Sequence, residues 1–423
     1  MLDISFIRDN ADLIKEAARK KRSDFDVAVL LEVDDRRRAL LQEVEGLREK
    51  QNRANEGISR ADGAARETAI QEMRTLKEGL QKKEEELQGV MQQWRDLMVR
   101  VPNIPDITVP EGESEADNKE LKQWGELPVF SYTPKDHIEL MTALGMADFE
   151  RGSKVHGFRG YFLKGDGALL SVALWNYARD FFLNKGFEFF LPPAIVKRQY
   201  FYGTGHLPND ADDLYVTQDD DYLSGTAEVP MMAFHADEVL RKEELPKRYL
   251  AFSPCYRREA GSYGKDTKGL LRVHEFYKLE QLVLCEAGHD TSVALHEELN
   301  RNTEQFIESL DLPYRQIVIS TGDLKESQVK CYDIELWIPS QNAYREIGSA
   351  SYYHDFQARR FNIRYADGST KLHVHSLNAT AIPTPRALIA LVENNQRSDG
   401  SIGIPEKLRP YMGGREIIAP RKA

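Results

Sequence analysis

The strongest constraint on the fold is a heptad seam in the first quarter of the chain. Leu40, Val44, Leu47, Gln51, Ala54 and Ile58 follow a 4-3-4-3-4 spacing, the repeat that keeps one stripe of a helix facing a partner. The seam breaks over residues 59–65, which contain Asp62 and Gly63, and resumes at Ala69, Met73, Leu76, Leu80, Lys83, Leu87, Val90, Trp94, Leu97 and Val101. Two such helices joined by so short a connection must fold back as an antiparallel hairpin. About 25 residues in the first helix give a reach of roughly 37 Å. Polar Gln51 and small Ala54 bury less apolar area than Leu40 and Val44, so the hairpin should loosen toward its tip. The arm alone fixes no purpose. An oligomerising coiled coil carries the same seam, and Arg48, Lys50, Arg53, Arg74, Lys77 and Lys82 interleaved with glutamates make an ordinary solvated face.

Around the arm, residues 1–25 contain a helix-like stretch with Asn10 or Asp12 as candidate caps. Pro102 and Pro105 stop the second arm helix, because proline cannot continue one. Residues 106–125, rich in Pro, Gly, Glu and Asp, read as a linker. Strand candidates at 248–252, 281–285, 316–319 and 331–338, mixed with helical segments, predict an α+β domain on a mainly antiparallel sheet. The expected organisation is a domain over 1–105 with its arm at about 36–100, a linker over 106–125 and a second domain over 126–423.

A length of 423 residues fits two domains, and 41% hydrophobic residues supply a core. No apolar run is long enough to span a bilayer, and Met1 to Ile4 do not begin a secretory leader. The expected location is the cytoplasm, with no membrane partner. Cys255, Cys285 and Cys331 form no close pair, so buried reduced thiols are expected and zinc is not. The net charge of −11 speaks against nucleic acid, but binding follows the local field. Lys15, Arg19 to Arg22, Arg36 to Arg38, and Lys265, Lys268 and Arg272 are basic clusters set apart from the acidic stretch Asp210 to Asp221.

The most informative segment runs from Cys255 to Glu280. Arg257 and Glu259, if on a strand, would share a face. A glycine-containing basic loop follows, then an aromatic strand with Phe276. A cation, a carboxylate and an aromatic platform suit a nucleotide, although an Arg-x-Glu by itself is as well read as an ordinary ion pair.

Taken whole, this segment resembles motif 2 of the class II aminoacyl-tRNA synthetases, in its seryl form. Gly186 to Pro193 is similar to motif 1, whose proline (best matched by Pro193) lies at the family's dimer interface. Leu377 to Arg386, continuing to Glu393 and Asn394, is similar to motif 3. Tyr202 to Gly205 with Leu207 and Pro208, Thr226 to Pro230, and Asp355 to Arg360 match the seryl signatures. The resemblance covers essentially the whole chain, arm included.

It implies ATP-dependent attachment of L-serine to the 3′ end of serine tRNA through a seryl-adenylate, by a homodimer; selenocysteine tRNA is a second candidate acceptor. Carried over by position, the catalytic residues are Arg257, Glu259 and Arg386. Arg257 would hold the α-phosphate and the serine carboxylate, Glu259 the adenine amino group, and Phe276 and Arg386 the two faces of the ring, Arg386 alternatively the γ-phosphate. Arg258, Val273, Glu346, Ile347, Gly348 and Ser349 complete the implied ATP site, with Glu346 and Ser349 as magnesium ligands. Thr226, Ala227 and Glu228 would lie near the serine α-amino group, and Glu280 and Thr380 would meet its hydroxyl. Individually, Thr226 has an alternative as a backbone partner, Glu280 as a partner of Lys278, and Ser349 as a turn cap. Motif 3 departs from the glycine-rich bacterial form at Ala379, Thr380 and Ala381. Pro383 and Pro385 restrict the backbone that leads to Arg386, and Gly348 stands where serine is frequent.

Overall fold

The computed structural model describes residues 1–60, 62–261, 264 and 266–420. Ala61 of the expected arm break, and Ser262, Tyr263 and Lys265 of the motif 2 loop, lie outside the described residues. The chain divides into two compact units, Met1–Pro102 and Asn103–Ala423.

The first unit opens with helices α1 (Ile4–Asp9) and α2 (Ala11–Lys20), and its arm is α3 (Val27–Arg60) packed against α4 (Gly63–Met98). Asn10 stands before α2 but makes no cap there; its side chain instead donates to Phe6 O at the end of α1. The first arm helix begins earlier than the seam suggests, so its 34 residues span roughly 51 Å. Leu40, Val44, Leu80, Val90 and Val101 are buried, whereas Gln51, Ala54, Ile58, Ala69, Met73 and Leu76 nearer the tip are only half-buried. Cross-helix ion pairs Arg36–Glu86, Lys83–Glu43 and Arg48–Glu84 flank the seam. Lys83, a seam position by spacing, therefore serves as a rim charge.

The second unit is built on an antiparallel sheet. Its strands are β1 (Lys119–Trp124), β2 (Glu188–Phe190), β3 (Lys247–Tyr256), β4 (Glu275–Cys285), β5 (Tyr314–Val318), β6 (Lys330–Ile338), β7 (Ala343–Tyr352) and β8 (His375–Pro383). Their order is β1-β5-β6-β7-β8-β4-β3-β2, and only the edge pair β2–β3 is parallel. Helices α5 (Asp166–Leu183), α6 (His289–Glu308) and α7 (Thr384–Asn394) bury one face in a continuous core that includes Leu174, Leu299 and Leu388 with Leu279, Leu336 and Leu377 of the strands. The other face carries the polar residues described below. The strands expected from sequence lie within β3, β4, β5 and β6, with Ile319 just past the end of β5.

The structure differs from expectation at 106–125. This stretch is not a free linker: β1 pairs with β5, the Asp106 N–H donates to Val329 O, and the Tyr352 hydroxyl donates to the Asp106 carboxylate at 2.7 Å. Its polar composition reflects an exposed edge strand, since β1 is almost wholly solvent-facing. Cys255, Cys285 and Cys331 are buried free thiols.

Candidate active site

Two β-bulges shape the open face of the sheet. Leu279 faces Ile382 and Glu280 faces Thr380, so Ala381 is the extra residue on β8. Ile334 faces Gly348 and Glu335 faces Glu346, so Ile347 is the extra residue on β7. Bulges re-aim neighbouring side chains, and here they flank a cavity of about 500 Å³, a size suited to a small-molecule ligand.

Alternation along β4 puts Phe276, Lys278 and Glu280 on the cavity wall, while Leu279 points into the core and Gln281 into a polar layer under α6. At one end of the cavity, the Thr226 hydroxyl donates to Glu280 Oε2 at 2.5 Å, and Asn378 Nδ2 donates to Glu280 Oε1 at 3.0 Å. Lys278 Nζ lies 3.0 Å from Glu280 Oε2 and 3.1 Å from Thr226 Oγ1. The ion pair with Lys278 thus exists, and Glu280 still lines the cavity. Glu228 accepts from Gln357 Nε2 at 2.6 Å. Burial, then the nearby charge of Glu280, push its carboxyl up to about 7.

Thr380 sits on the bulged part of β8. Its carbonyl accepts from the Thr303 hydroxyl of α6 at 2.8 Å, and Thr303 in turn accepts from Gln281 Nε2 at 2.9 Å. These residues are buried, so the layer beneath Thr380 is dry and hydrogen-bonded.

Arg257, also on the cavity wall, stands over the Phe276 ring at 5.3 Å and donates to Gly225 O at 3.2 Å. Arg386 Nη1 donates to the Glu346 carbonyl at 2.6 Å and to its carboxylate at 3.2 Å, and Nε donates to Leu271 O. Both prolines near Arg386 are accommodated by helix geometry. Pro383 is the N-cap of α7 and Pro385 lies in its first turn, where a missing N–H costs nothing. Thr384 accepts from Trp175 Nε1 at 2.6 Å and donates to Tyr277 O, which fixes that turn.

Arg257 and Glu259 do not share a strand face. β3 ends at Tyr256, and Glu259 has a left-handed backbone (φ 54°). Glu259 reaches the cavity because Arg272 holds it at 2.5 Å. His274 supports this loop, its ring nitrogen lying 3.0 Å from Arg257 O.

Of the residues implied by resemblance, Thr226, Glu228, Arg257, Glu259, Val273, Phe276, Glu280, Glu346, Ile347, Gly348, Ser349, Thr380 and Arg386 border the cavity. Ala227 and Arg258 do not. Ala227 is fully buried in an apolar cluster with Met231 and Tyr249, and the Arg258 N–H donates to Asp213 O. Lys278, Asn378 and Asp333 were not among the expected residues. Lys278 was legible as the same-face neighbour of Glu280, and Asn378 as the position two before Thr380. Asp333 faces Ser349 across the β6–β7 pair, a register that sequence does not supply. Burial and the neighbouring Glu346 charge raise its carboxyl well above the usual range.

A sheet of this order with these residues around one cavity fits the match of residues 215–395 to the model of the tRNA synthetase class II core domain (G, H, P, S and T); the second unit is that of a class II aminoacyl-tRNA synthetase. Residues 1–105 match the seryl-tRNA synthetase N-terminal domain. The serine–tRNA ligase of Deinococcus radiodurans is 44% identical over 99% of both chains. The crystal structure of seryl-tRNA synthetase from Pyrococcus horikoshii complexed with ATP superposes with a TM-score of 0.91 at 36% identity, covering 100% of each chain. The cytoplasmic serine–tRNA ligase of Naegleria fowleri in complex with AMP gives a TM-score of 0.87 at 32% identity, covering 100% of this chain and 99% of that one. The chain belongs to the seryl-tRNA synthetase family. Its activity is that of a serine–tRNA ligase, the aminoacylation of tRNA with serine. Among the described residues, no helix is long and apolar enough to cross a membrane.

Proposed function

We propose that serine is joined to tRNA in two steps within this cavity. The serine carboxylate attacks the α-phosphate of ATP, the bond to the β-phosphate breaks, and pyrophosphate leaves seryl-adenylate behind. A hydroxyl of the terminal tRNA ribose then attacks the acyl carbon and AMP departs. The supporting observation is the arrangement of Thr226, Glu280 and Asn378 in the wall of a cavity that Arg257 and Arg386 also line.

In this reading, Arg257 binds the α-phosphate and the serine carboxylate, a task suited to a planar bidentate donor. Glu259 receives the adenine amino group and Phe276 stacks on the ring. Arg386 holds the other face of the nucleotide or its γ-phosphate. Glu228, with Thr226 beside it, takes the α-amino group, and Glu280 and Thr380 the hydroxyl. Catalysis comes from positioning and from fixed charge set against the developing phosphate charge.

Magnesium fits the donors present, because Glu346 and Ser349 offer the oxygen ligands it prefers. Among the described residues, no group of three or more His, Cys, Asp or Glu side chains is placed to hold a metal alone, so ATP phosphate oxygens would share the ion. When bound, it neutralises phosphate charge.

The N-terminal domain, residues 1–105, is the tRNA-binding domain, with the arm giving selectivity for tRNA. Selenocysteine tRNA is a second candidate acceptor. The chain works as a cytoplasmic homodimer: Leu191 and Ile195, beside Pro193, are exposed, an apolar surface of the kind a second copy covers. The test is incubation with ATP, magnesium and serine without tRNA, followed by mass spectrometry. Enzyme-bound seryl-adenylate that turns into seryl-tRNA and AMP on addition of serine tRNA supports the reading. AMP formation that depends on tRNA from the outset overturns the two-step order.

A further inference from the structure

The direction of the hydrogen bonds around Glu280 follows from counting donors and acceptors. Thr226 Oγ1 accepts from Lys278 Nζ at 3.1 Å and from the Glu228 backbone N–H at 3.3 Å. A hydroxyl has two acceptor sites and one proton, so the Thr226 proton is committed outward, to Glu280 Oε2 at 2.5 Å. That oxygen also receives Lys278 at 3.0 Å, which uses its remaining acceptor site. On the other side, Glu280 Oε1, a carboxylate oxygen, only accepts, so Asn378 turns Nδ2 to it at 3.0 Å and leaves Oδ1 to accept from the Tyr353 hydroxyl at 3.0 Å. One acceptor site on Oε1 is left in the cavity wall.

Lys278 holds this chain in one direction. The residue is 6% exposed, and its ammonium lies between Thr226 Oγ1 and Glu280 Oε2, a cation buried beside Glu228 and Glu280. Were it absent, Thr226 Oγ1 would regain a free acceptor site, its hydroxyl could turn toward a ligand, and Glu280 would lose a charge-assisted partner.

We propose that Lys278 is the positioning residue that sets side-chain selectivity: by committing the Thr226 proton to Glu280, it leaves the pocket one acceptor that reads a hydrogen-bond-donating side chain on the amino acid. Lys278 acts through Thr226 and Glu280 and does not itself take part in bond making. The proposal rests on the assignment of this end of the cavity to serine. It explains how a cation can sharpen recognition of an uncharged hydroxyl. A site with a committed acceptor penalises alanine because the acceptor is then left buried and unpaired.

The test is pyrophosphate exchange by the full-length protein, with KM and kcat measured separately for serine and ATP. Lys278→Met, which keeps the length of the side chain, is expected to raise the KM for serine tenfold or more. The KM for ATP should stay within twofold, and the serine-to-alanine ratio of kcat/KM should fall by a similar factor. Lys278→Gln, which retains an N–H donor, should recover part of the selectivity. A serine KM within twofold of wild type, or equal rises for ATP and serine, would overturn the role. Should both variants fail to fold, the wild type still decides. 3-Fluoroalanine, whose side chain accepts but cannot donate, should compete no better than alanine; competition comparable to serine contradicts the proposal. A wild type with no serine-dependent exchange overturns the assignment of the pocket itself, whereas an active wild type with an unchanged Lys278→Met overturns only the role of Lys278.

Discussion

The side chain of Thr380 occupies the space that a Cβ on residue 348 would need: built on Gly348, that carbon would lie 2.4 Å from Thr380 Cβ. The two strands approach this closely because β7 and β8 pair beside their bulges. The obstructing atom is a Cβ rather than the end of a flexible chain, so neither side can give way cheaply. Gly348→Ala should cost about 1–3 kcal/mol of stability, the usual range for overpacking. It should also raise the KM for serine more than the KM for ATP, because Thr380 moves first. Thermal unfolding and exchange kinetics on the variant check both.

Thr303 and Thr380 form a second such pair, one layer deeper. Replacing the hydroxyl by a methyl in Thr303→Val leaves the Thr380 carbonyl without this donor. A buried acceptor left unpaired costs about 1–3 kcal/mol. Weaker serine binding with ATP binding preserved is expected, and Thr303→Ser should restore it, as measured by isothermal titration with each ligand.

Glu228 makes the protein's stability depend on pH. Its folded-state carboxyl, raised by burial and then by Glu280, titrates at about 7 against an ordinary value of 4.5. Between those values the folded protein holds a proton that the unfolded chain has released. Stability without ligand should therefore fall as pH rises across that window, at most by ~1.4 kcal/mol per pH unit from this group. Gln357, Lys278 and Lys325 oppose the shift without cancelling it. Serine binding should strengthen with pH over the same range as the carboxylate forms. Denaturant midpoints at pH 5, 6 and 7 for the wild type and Glu228→Gln provide the check; equal slopes would contradict it.

Removal of the arm is expected to separate serine activation from the charging of tRNA. With residues 36–100 replaced by a short turn, exchange should persist within a few fold, while serylation of tRNA should fall by at least a hundredfold. Parallel loss of both activities would show that the arm also supports the catalytic unit.

What the sequence reveals depends on how local each determinant is. The heptads specify α3 and α4 because their spacing is a local pattern, but the earlier start at Val27 is not part of that seam. Alternation along β4 puts Lys278 on the same wall as Phe276 and Glu280, so it was legible beside two expected residues although it was not among them. The Arg257–Glu259 pairing failed as a strand argument, because the ladder ends at Tyr256 and Arg272, thirteen residues beyond Glu259, brings the carboxylate in. β1 was hidden because an exposed edge strand has the composition of a linker. The bulges at Ala381 and Ile347, and with them the reach of Thr303 and Asp333, arise from pairing between distant strands, which no local pattern records.

Serine-dependent pyrophosphate exchange by the purified protein, with alanine and threonine run beside it, is the most direct measurement. Rapid exchange with serine and at least a thousandfold lower kcat/KM with both others is expected from a pocket built around Glu280 and closed by Thr380. No exchange with serine, or comparable rates with alanine or threonine, would contradict the assignment of this cavity.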